Sequence, residues 1–274
     1  MKWKGKTAIV TGAGSGIGRA IAGQLGAMGM RVACCGRRER ALEETAVVIE
    51  KLGGDADIFP LDLLVADQVN HMVDSVIARW GTVDVLINNA GRHGSVGPLW
   101  TLDPDDWWAD LEVNLLGTFH CCQQVLPQMC QQGTGLIVNI SGGGDVQSRP
   151  FGSSYACSKA AVLRLTDSLA EELHTMGYGR VTVLAFNPGF TRTAMTEAIA
   201  ASSEAAQWMP MFAERFRSGQ VQKPEDAAER LVRFVSQAGP ALSGRVFHID
   251  DPLEAILDQQ DSLADEDFFL RRRS

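Results

Sequence analysis

From Thr7 to Ile249 the chain alternates short, wholly apolar runs with longer helical stretches, and few folds accept that alternation. "TAIVT", "RVACC", "VLIN", "LIVNI" and "VTVLAF" carry apolar or β-branched residues at successive positions. Such strands need cover on both faces, which a parallel sheet flanked by helices supplies. "ADIFPLDL" and "SGRVFHI" read as two more strands. Helical patterns run between them over about 16–29, 38–52, 65–80, 105–132 and 153–176. The expected fold is α/β: one doubly wound parallel sheet of about seven strands with helices on both faces. The 274 residues show no linker or internal repeat, so 1–250 is read as one domain. An Ala-, Met- and aromatic-rich stretch at 191–222 follows the sixth strand at the ligand-binding edge and is read as a substrate lid. The tail, 251–274, is acidic and ends in "DFFLRRRS". It is either a frayed end or an arm that packs on a neighbouring subunit.

A formal charge of −8 argues against a nucleic-acid or anionic-membrane partner. No apolar run approaches the length of a membrane span, and the N-terminus enters the first strand with no apolar signal segment ahead of it. The six cysteines lack CxxC or Cys/His spacing, so no metal is expected. They read as buried thiols in a reducing compartment, and the expected location is the cytoplasm.

The first strand runs into "TGAGSGIG", Thr11 to Gly18. Gly12, Gly16 and Gly18 allow a tight turn, close approach of a pyrophosphate and tight helix packing. Free N–H groups of the following helix then face the phosphates, with Ser15 and Ile17 on the same turn. The second strand ends "CCGRRER", with Gly36 where an acidic residue would bind the ribose hydroxyls of NAD. Arg37 and Arg38 follow, and an arginine fork suits a 2′-phosphate. The cofactor read from this is NADP(H) rather than NAD(H), with Arg37 the better candidate. Further on, "YACSK" puts Tyr155 and Lys159 four residues apart, one helical turn. A tyrosine beside a cation can serve as a general acid, because the positive charge favours the phenolate.

In this order and spacing, "TGAGSGIG", Asp62 in "LDL", "NNAG" at 88–91, Asn114, "YACSK" and "NPGFTRT" resemble the short-chain dehydrogenase/reductase family over about residues 5 to 250. The resemblance implies a Rossmann-type fold and an oxidoreductase that interconverts a secondary alcohol and a ketone. Tyr155 would be the acid/base. Lys159 would lower its pKa and hold the nicotinamide ribose, and Asn114 would anchor a water. Asp62 and Leu63 would flank the adenine, and Asn89, Ala90 and Gly91 would support the adenosine side. Pro188, Gly189, Thr191 and Thr193 would cradle the nicotinamide. Relatives assemble through two long helices, so a homodimer or homotetramer is expected.

The chain departs from the pattern at one place. The family sets a serine thirteen residues before the tyrosine, and here that position is Gly142. Ser141 is its neighbour, but in strand register its side chain points to the opposite face. The Gly142-Gly143-Gly144 run offers a way to re-aim it. Losing one oxyanion donor costs on the order of a hundred- to a thousand-fold. Ser141 or a loop N–H is therefore the candidate replacement, with Ser153 and Ser154 read as helix caps. The alternative is a non-catalytic dinucleotide-binding protein. His93, Trp100, Trp107, Trp108, Phe151, Phe190 and Trp208 suggest a small-molecule carbonyl or alcohol substrate with a bulky or cyclic body, although many of the tryptophans would serve only packing.

Overall fold

In a computed structural model, residues 3–262 are described. The chain alternates as the sequence predicts: β1 Thr7–Thr11, α1 Gly16–Ala27, β2 Arg31–Gly36, α2 Glu39–Lys51, β3 Asp55–Pro60, α3 Ala66–Trp80 and β4 Val85–Asn88. Then come α4 Pro104–Leu111, α5 Gly117–Gln132, β5 Gly135–Ile140, α6 Ser153–Thr175 and β6 Val181–Asn187. Three short helices follow, α7 Ala194–Ala201, α8 Ser203–Trp208 and α9 Met211–Arg217, before α10 Pro224–Val235, β7 Val246–His248 and α11 Leu253–Gln259.

The strands form one sheet in the order β3-β2-β1-β4-β5-β6-β7, every pairing parallel. Alternate strand residues feed two separate cores. Ala8, Val10, Val32, Cys34 and Ile87 face α1, α2 and α10. Ile9, Ala33, Cys35 and Leu86 face α3, α5 and α6. Each fully buried Val, Leu or Ile contributes about 1.5–3 kcal/mol, and the wholly apolar strands reflect this two-sided burial. Connections leave β1 and β4 in opposite directions, so a crevice opens between them at the carboxyl ends of the strands.

Three expectations need correcting. The stretch at 105–132 is two α-helices joined by a π-helical turn at Glu112–Leu116, a feature that carries no composition signal and tends to occur beside functional sites. The cysteines are not all buried: Cys157 is exposed on the outer side of α6, although Cys34, Cys35, Cys121 and Cys122 are buried. The residues just past 250 are not a loose end either, because Leu253 of α11 is buried with Ile256 and Leu257 beside it. "DFFLRRRS" lies outside the described residues. None of the helices among those residues is long and apolar enough to cross a membrane.

Candidate active site

A cleft of about 1170 Å³ opens along the carboxyl ends of the strands. Every sequence-predicted site residue lines it except Gly18 and Asn114, which stand directly behind its wall.

At the end nearest β1 and β2 the backbone itself forms the surface. Gly12 and Gly16 have φ of +66° and +54°, angles that side-chain-bearing residues avoid. A Cβ on Gly12 would stand 2.9 Å from Ala90 Cα, and one on Gly18 would stand 2.3 Å from Gly12 O. Thr11 Oγ1 accepts the N–H groups of Asn89 and Ala90 at 2.9 and 3.0 Å, and Asn89 Nδ2 donates to Thr11 O at 2.9 Å. Ser15 precedes α1 without capping it, so the first-turn N–H groups at Gly16 and Ile17 face the cleft with no side-chain acceptor, a setting for phosphate. Arg38 Nη2 donates to Ser15 Oγ at 2.9 Å, and Arg37 lines the same wall. Asp62 Oδ1 accepts from Leu64 N at 3.0 Å, turning the chain so that Leu63 packs on Gly117. On the far wall Gly189 has φ +69°, Thr191 Oγ1 donates to Pro188 O at 3.1 Å, and Thr193 caps α7. These features fit an extended dinucleotide.

Tyr155 and Lys159 lie one turn apart on α6 where that wall meets the rest of the cleft. Lys159 Nζ is buried and donates to Ile140 O at 2.8 Å. Burial lowers its pKa to about 8, opposed by Asp145. Desolvation pushes the Tyr155 hydroxyl up to about 12, with Arg149 acting in the opposite, lowering sense and Asp145 and Asp110 raising it further. The sequence assigned the lowering influence to Lys159. In the structure Lys159 Nζ lies over the Tyr155 ring at 5.7 Å, and Arg149 is a second cation over that ring at 5.4 Å.

Asn114 is fully engaged by protein atoms. Its Oδ1 accepts from Arg92 N at 2.7 Å, and its Nδ2 donates to Arg92 O and Ser158 Oγ at 2.9 and 2.8 Å. It therefore ties the loop after β4 to α6.

Ser141 is not a free donor. It keeps strand register through Ser141 N donating to Phe186 O at 2.9 Å, and its Oγ donates to Asp145 Oδ2, which also receives Asn187 Nδ2 at 3.0 Å. Position 142 is the one that faces Tyr155: a Cβ there would stand 2.3 Å from the Tyr155 hydroxyl. Ser153 and Ser154 are not caps. Ser153 Oγ accepts from Trp107 Nε1 at 3.0 Å and Ser154 Oγ donates to Asp110 Oδ2 at 2.6 Å.

The other end of the cleft is aromatic and basic. The His93 ring stacks on Tyr155 at 4.4 Å, and Phe151 packs on Trp208 at 5.1 Å. Phe190 meets Phe212 edge-on at 5.0 Å. Phe151 has φ +63°, the one non-glycine residue with positive φ among the described residues, and the strained turn carries Arg149 and Phe151 to the cleft wall. Burial and the Arg149 charge lower the His93 pKa to about 3, so its imidazole is neutral at ordinary pH. Trp100 and Trp108 are exposed and away from the cleft. Arg149, Asp145 and Phe212 were not singled out from the sequence. One signal was available: Arg149 is the single basic residue, and Asp145 the single acidic one, between Ser141 and Tyr155.

A family model described as short chain dehydrogenase matches residues 6–204. The chain belongs to that family. Over 256 residues this short-chain dehydrogenase is 34% identical to a 3-oxoacyl-(acyl-carrier-protein) reductase of Thermotoga maritima, across 92% of this chain and 99% of that protein. A Staphylococcus aureus protein of the same name is 34% identical over 247 residues, 89% of this chain and 96% of its own. Among solved structures, a variant of actinorhodin polyketide ketoreductase with NADPH superposes with a TM-score of 0.78 at 33% identity, covering 89% of this chain and 95% of that one. NAD+-bound xylitol dehydrogenase gives 0.81 at 27% identity, covering 91% and 99%. The protein is thus an oxidoreductase of the short-chain family with a Rossmann-like fold.

Proposed function

We propose that this enzyme interconverts a ketone and a secondary alcohol, using NADP(H) in preference to NAD(H). The observation that carries the reading is the placement of Tyr155 and Lys159 on α6, at the junction of the glycine-walled and aromatic parts of one cleft. A nicotinamide dinucleotide, when bound, supplies or accepts the hydride. Gly12, Ser15, Gly16, Ile17 and Gly18 would hold its pyrophosphate by backbone N–H groups and close approach. Asp62, Leu63, Asn89, Ala90 and Gly91 would flank the adenosine side, and Pro188, Gly189, Thr191 and Thr193 the nicotinamide side. Arg37 would meet the 2′-phosphate, beside Arg38 on Ser15.

In the reductive direction Tyr155 donates its proton to the carbonyl oxygen as the hydride arrives at carbon; in the oxidative direction it removes it. A hydroxyl whose pKa is raised by burial stays protonated through neutral pH, which suits reduction. Lys159 supplies positive charge next to the phenolate that forms, and Asn114 positions α6 against the loop after β4. Ser141 acts through Asp145, leaving the hydride acceptor's oxygen to other donors. The ketoacyl and polyketide ketoreductase activities named for the relatives support carbonyl reduction. Assembly as a homodimer or homotetramer through α4–α5 and α6, and a cytoplasmic location, complete the proposal; Leu116 and Phe119 are exposed on that side of the monomer.

The test is a titration with NADPH and with NADH followed by nicotinamide fluorescence, then a screen of bulky ketones for oxidation of the reduced cofactor. Tighter NADPH binding and turnover of any ketone support the reading. Tight dinucleotide binding with no hydride transfer to any carbonyl would leave the non-catalytic alternative, and tighter NADH binding would remove the role given to Arg37.

A further inference from the structure

The substrate end of the cleft holds two guanidinium groups that make no ion-pair contact with a carboxylate among the described residues, the acidic influence on Arg149 being Asp145. Arg149 lies over the rings of Tyr155 and Phe212 at 5.4 and 5.1 Å, and Arg215 of α9 lies over Phe190 at 5.0 Å. Neither is in an ion pair among the described residues. Arg192, in the same lid region, is paired with Glu197 at 3.1 Å, and Arg92 with Asp106 and Asp110 at 2.7 and 2.9 Å. Arg149 and Arg215 sense each other: burial lowers the Arg149 pKa and the Arg215 charge adds to this, while Tyr155 and Asp145 act in the raising sense.

The acidic residues that line the cleft are Asp62 and Asp145. Asp62 belongs to the adenosine end, and Asp145 Oδ2 already receives Ser141 and Asn187. In a chain of net charge −8, a basic pocket of this kind focuses the field on an anion.

Ring faces fix the plane of a guanidinium but leave its N–H edge unused. Arg149 Nη1 donates to Gly143 O at 2.8 Å, while Arg149 Nε is buried without a partner. His93 Nε2 is likewise buried and unpartnered on the same wall. A Cβ on Gly152 would stand 3.3 Å from Arg149 Nε and 3.4 Å from His93 Nε2, so both atoms converge on one place. A guanidinium with an unsatisfied N–H matches an oxygen of a carboxylate or phosphate.

We propose that the physiological substrate is an anionic carbonyl compound: an apolar or aromatic body whose carboxylate or phosphate group is held by Arg149 and Arg215 while its carbonyl meets Tyr155. This rests on the carbonyl-reductase reading and names the substrate class for it. Phe151, Phe190, Trp208 and Phe212 line the same part of the cleft, where they would flank the apolar body.

The experiment compares 4-acetylbenzoate, its methyl ester and 4-acetylphenyl phosphate in two ways: as substrates with NADPH, and as ligands of the NADPH-loaded protein by calorimetry. At least one anion is expected to exceed the ester by about tenfold or more in kcat/KM, through KM, as one or two charge-assisted hydrogen bonds would give. The advantage should shrink with added salt, since Arg215 is exposed. It should fall toward unity in Arg215→Gln, and Arg149→Lys should retain only part of it, keeping charge but losing the fork. Whichever anion wins assigns the group as carboxylate or phosphate. An ester used as well as both anions, or an advantage unmoved by Arg215→Gln and by salt, overturns the proposal. If no compound is reduced, calorimetry still decides: anion binding that Arg215→Gln weakens supports the site and counts against hydride transfer, whereas no anion binding refutes the site.

Discussion

The two halves of the cleft are built from different material. The half beside β1 and β2 is backbone: glycines at positive φ or within 3 Å of another chain segment, closed by Thr11 and Asn89. The half beyond Tyr155 is side chains on a loop and three short helices, with rings fixing Arg149 and Arg215. A backbone surface admits one residue type at several positions, so it is the same wherever a dinucleotide must approach. A side-chain surface admits many, so it can be individual to one enzyme. Substitutions should therefore fail differently in the two halves.

The largest expected effect lies where the halves meet. Gly142→Ser restores the residue type that the family sets there, yet its Cβ would displace the Tyr155 hydroxyl. Turnover should fall on the order of a hundredfold, as for a misplaced catalytic group, with NADPH affinity unchanged in a fluorescence titration. A rise in turnover would mean that Tyr155 moves aside and the serine takes up its usual role.

On the cofactor side, Gly18→Ala puts a methyl 2.3 Å from Gly12 O and 2.4 Å from Asn89 Nδ2. It should weaken NADPH binding and lower folding stability by about 1–3 kcal/mol, the usual range for overpacking, measured by titration and denaturant unfolding. Unchanged binding would show that the loop has slack the geometry denies. A smaller effect is expected for Arg37→Gln, which should cost NADPH about tenfold in Kd and leave NADH nearly unchanged, since one charge-assisted contact is lost. Equal losses for both cofactors would place the 2′-phosphate elsewhere.

The smallest effect concerns pH. His93 is held neutral in the fold, its pKa lowered from 6.5 to about 3. Below 6.5 the unfolded chain takes up a proton that the folded chain refuses, so His93 costs stability progressively as pH falls from 6.5 toward 3. Thermal unfolding of His93→Phe should lose less stability than wild type between pH 6.5 and 5. Parallel acid limbs would mean that His93 titrates normally.

This division also explains what the sequence made legible. The order of "TGAGSGIG", "NNAG" and "NPGFTRT" pointed to the backbone-walled half because Gly12, Gly16, Gly18 and Gly189 answer backbone requirements that other residues meet poorly. The sheet was legible from strands apolar on both faces. The π turn at Glu112–Leu116 and the strained Phe151 were not, since neither has a periodicity or composition of its own. Arg149 reaches Tyr155 only because that turn and Phe212 of α9 place it there, and contacts between a loop and a distant helix leave no local pattern. The tryptophans misled in the same way: Trp208 lines the cleft, but Trp100 and Trp108 face outward. Ser141 was legible as to face, since strand register alone turned it from Gly142, but its bond to Asp145 was not.

The most direct test is single-turnover hydride transfer from saturating NADPH to a ketone that wild type reduces, compared with Tyr155→Phe. Loss of the proton donor should slow transfer on the order of a hundred- to ten-thousand-fold while NADPH binding stays as in wild type. Transfer at the wild-type rate in Tyr155→Phe would contradict the account, because the cleft would then perform its chemistry without the one hydroxyl on which its two halves converge.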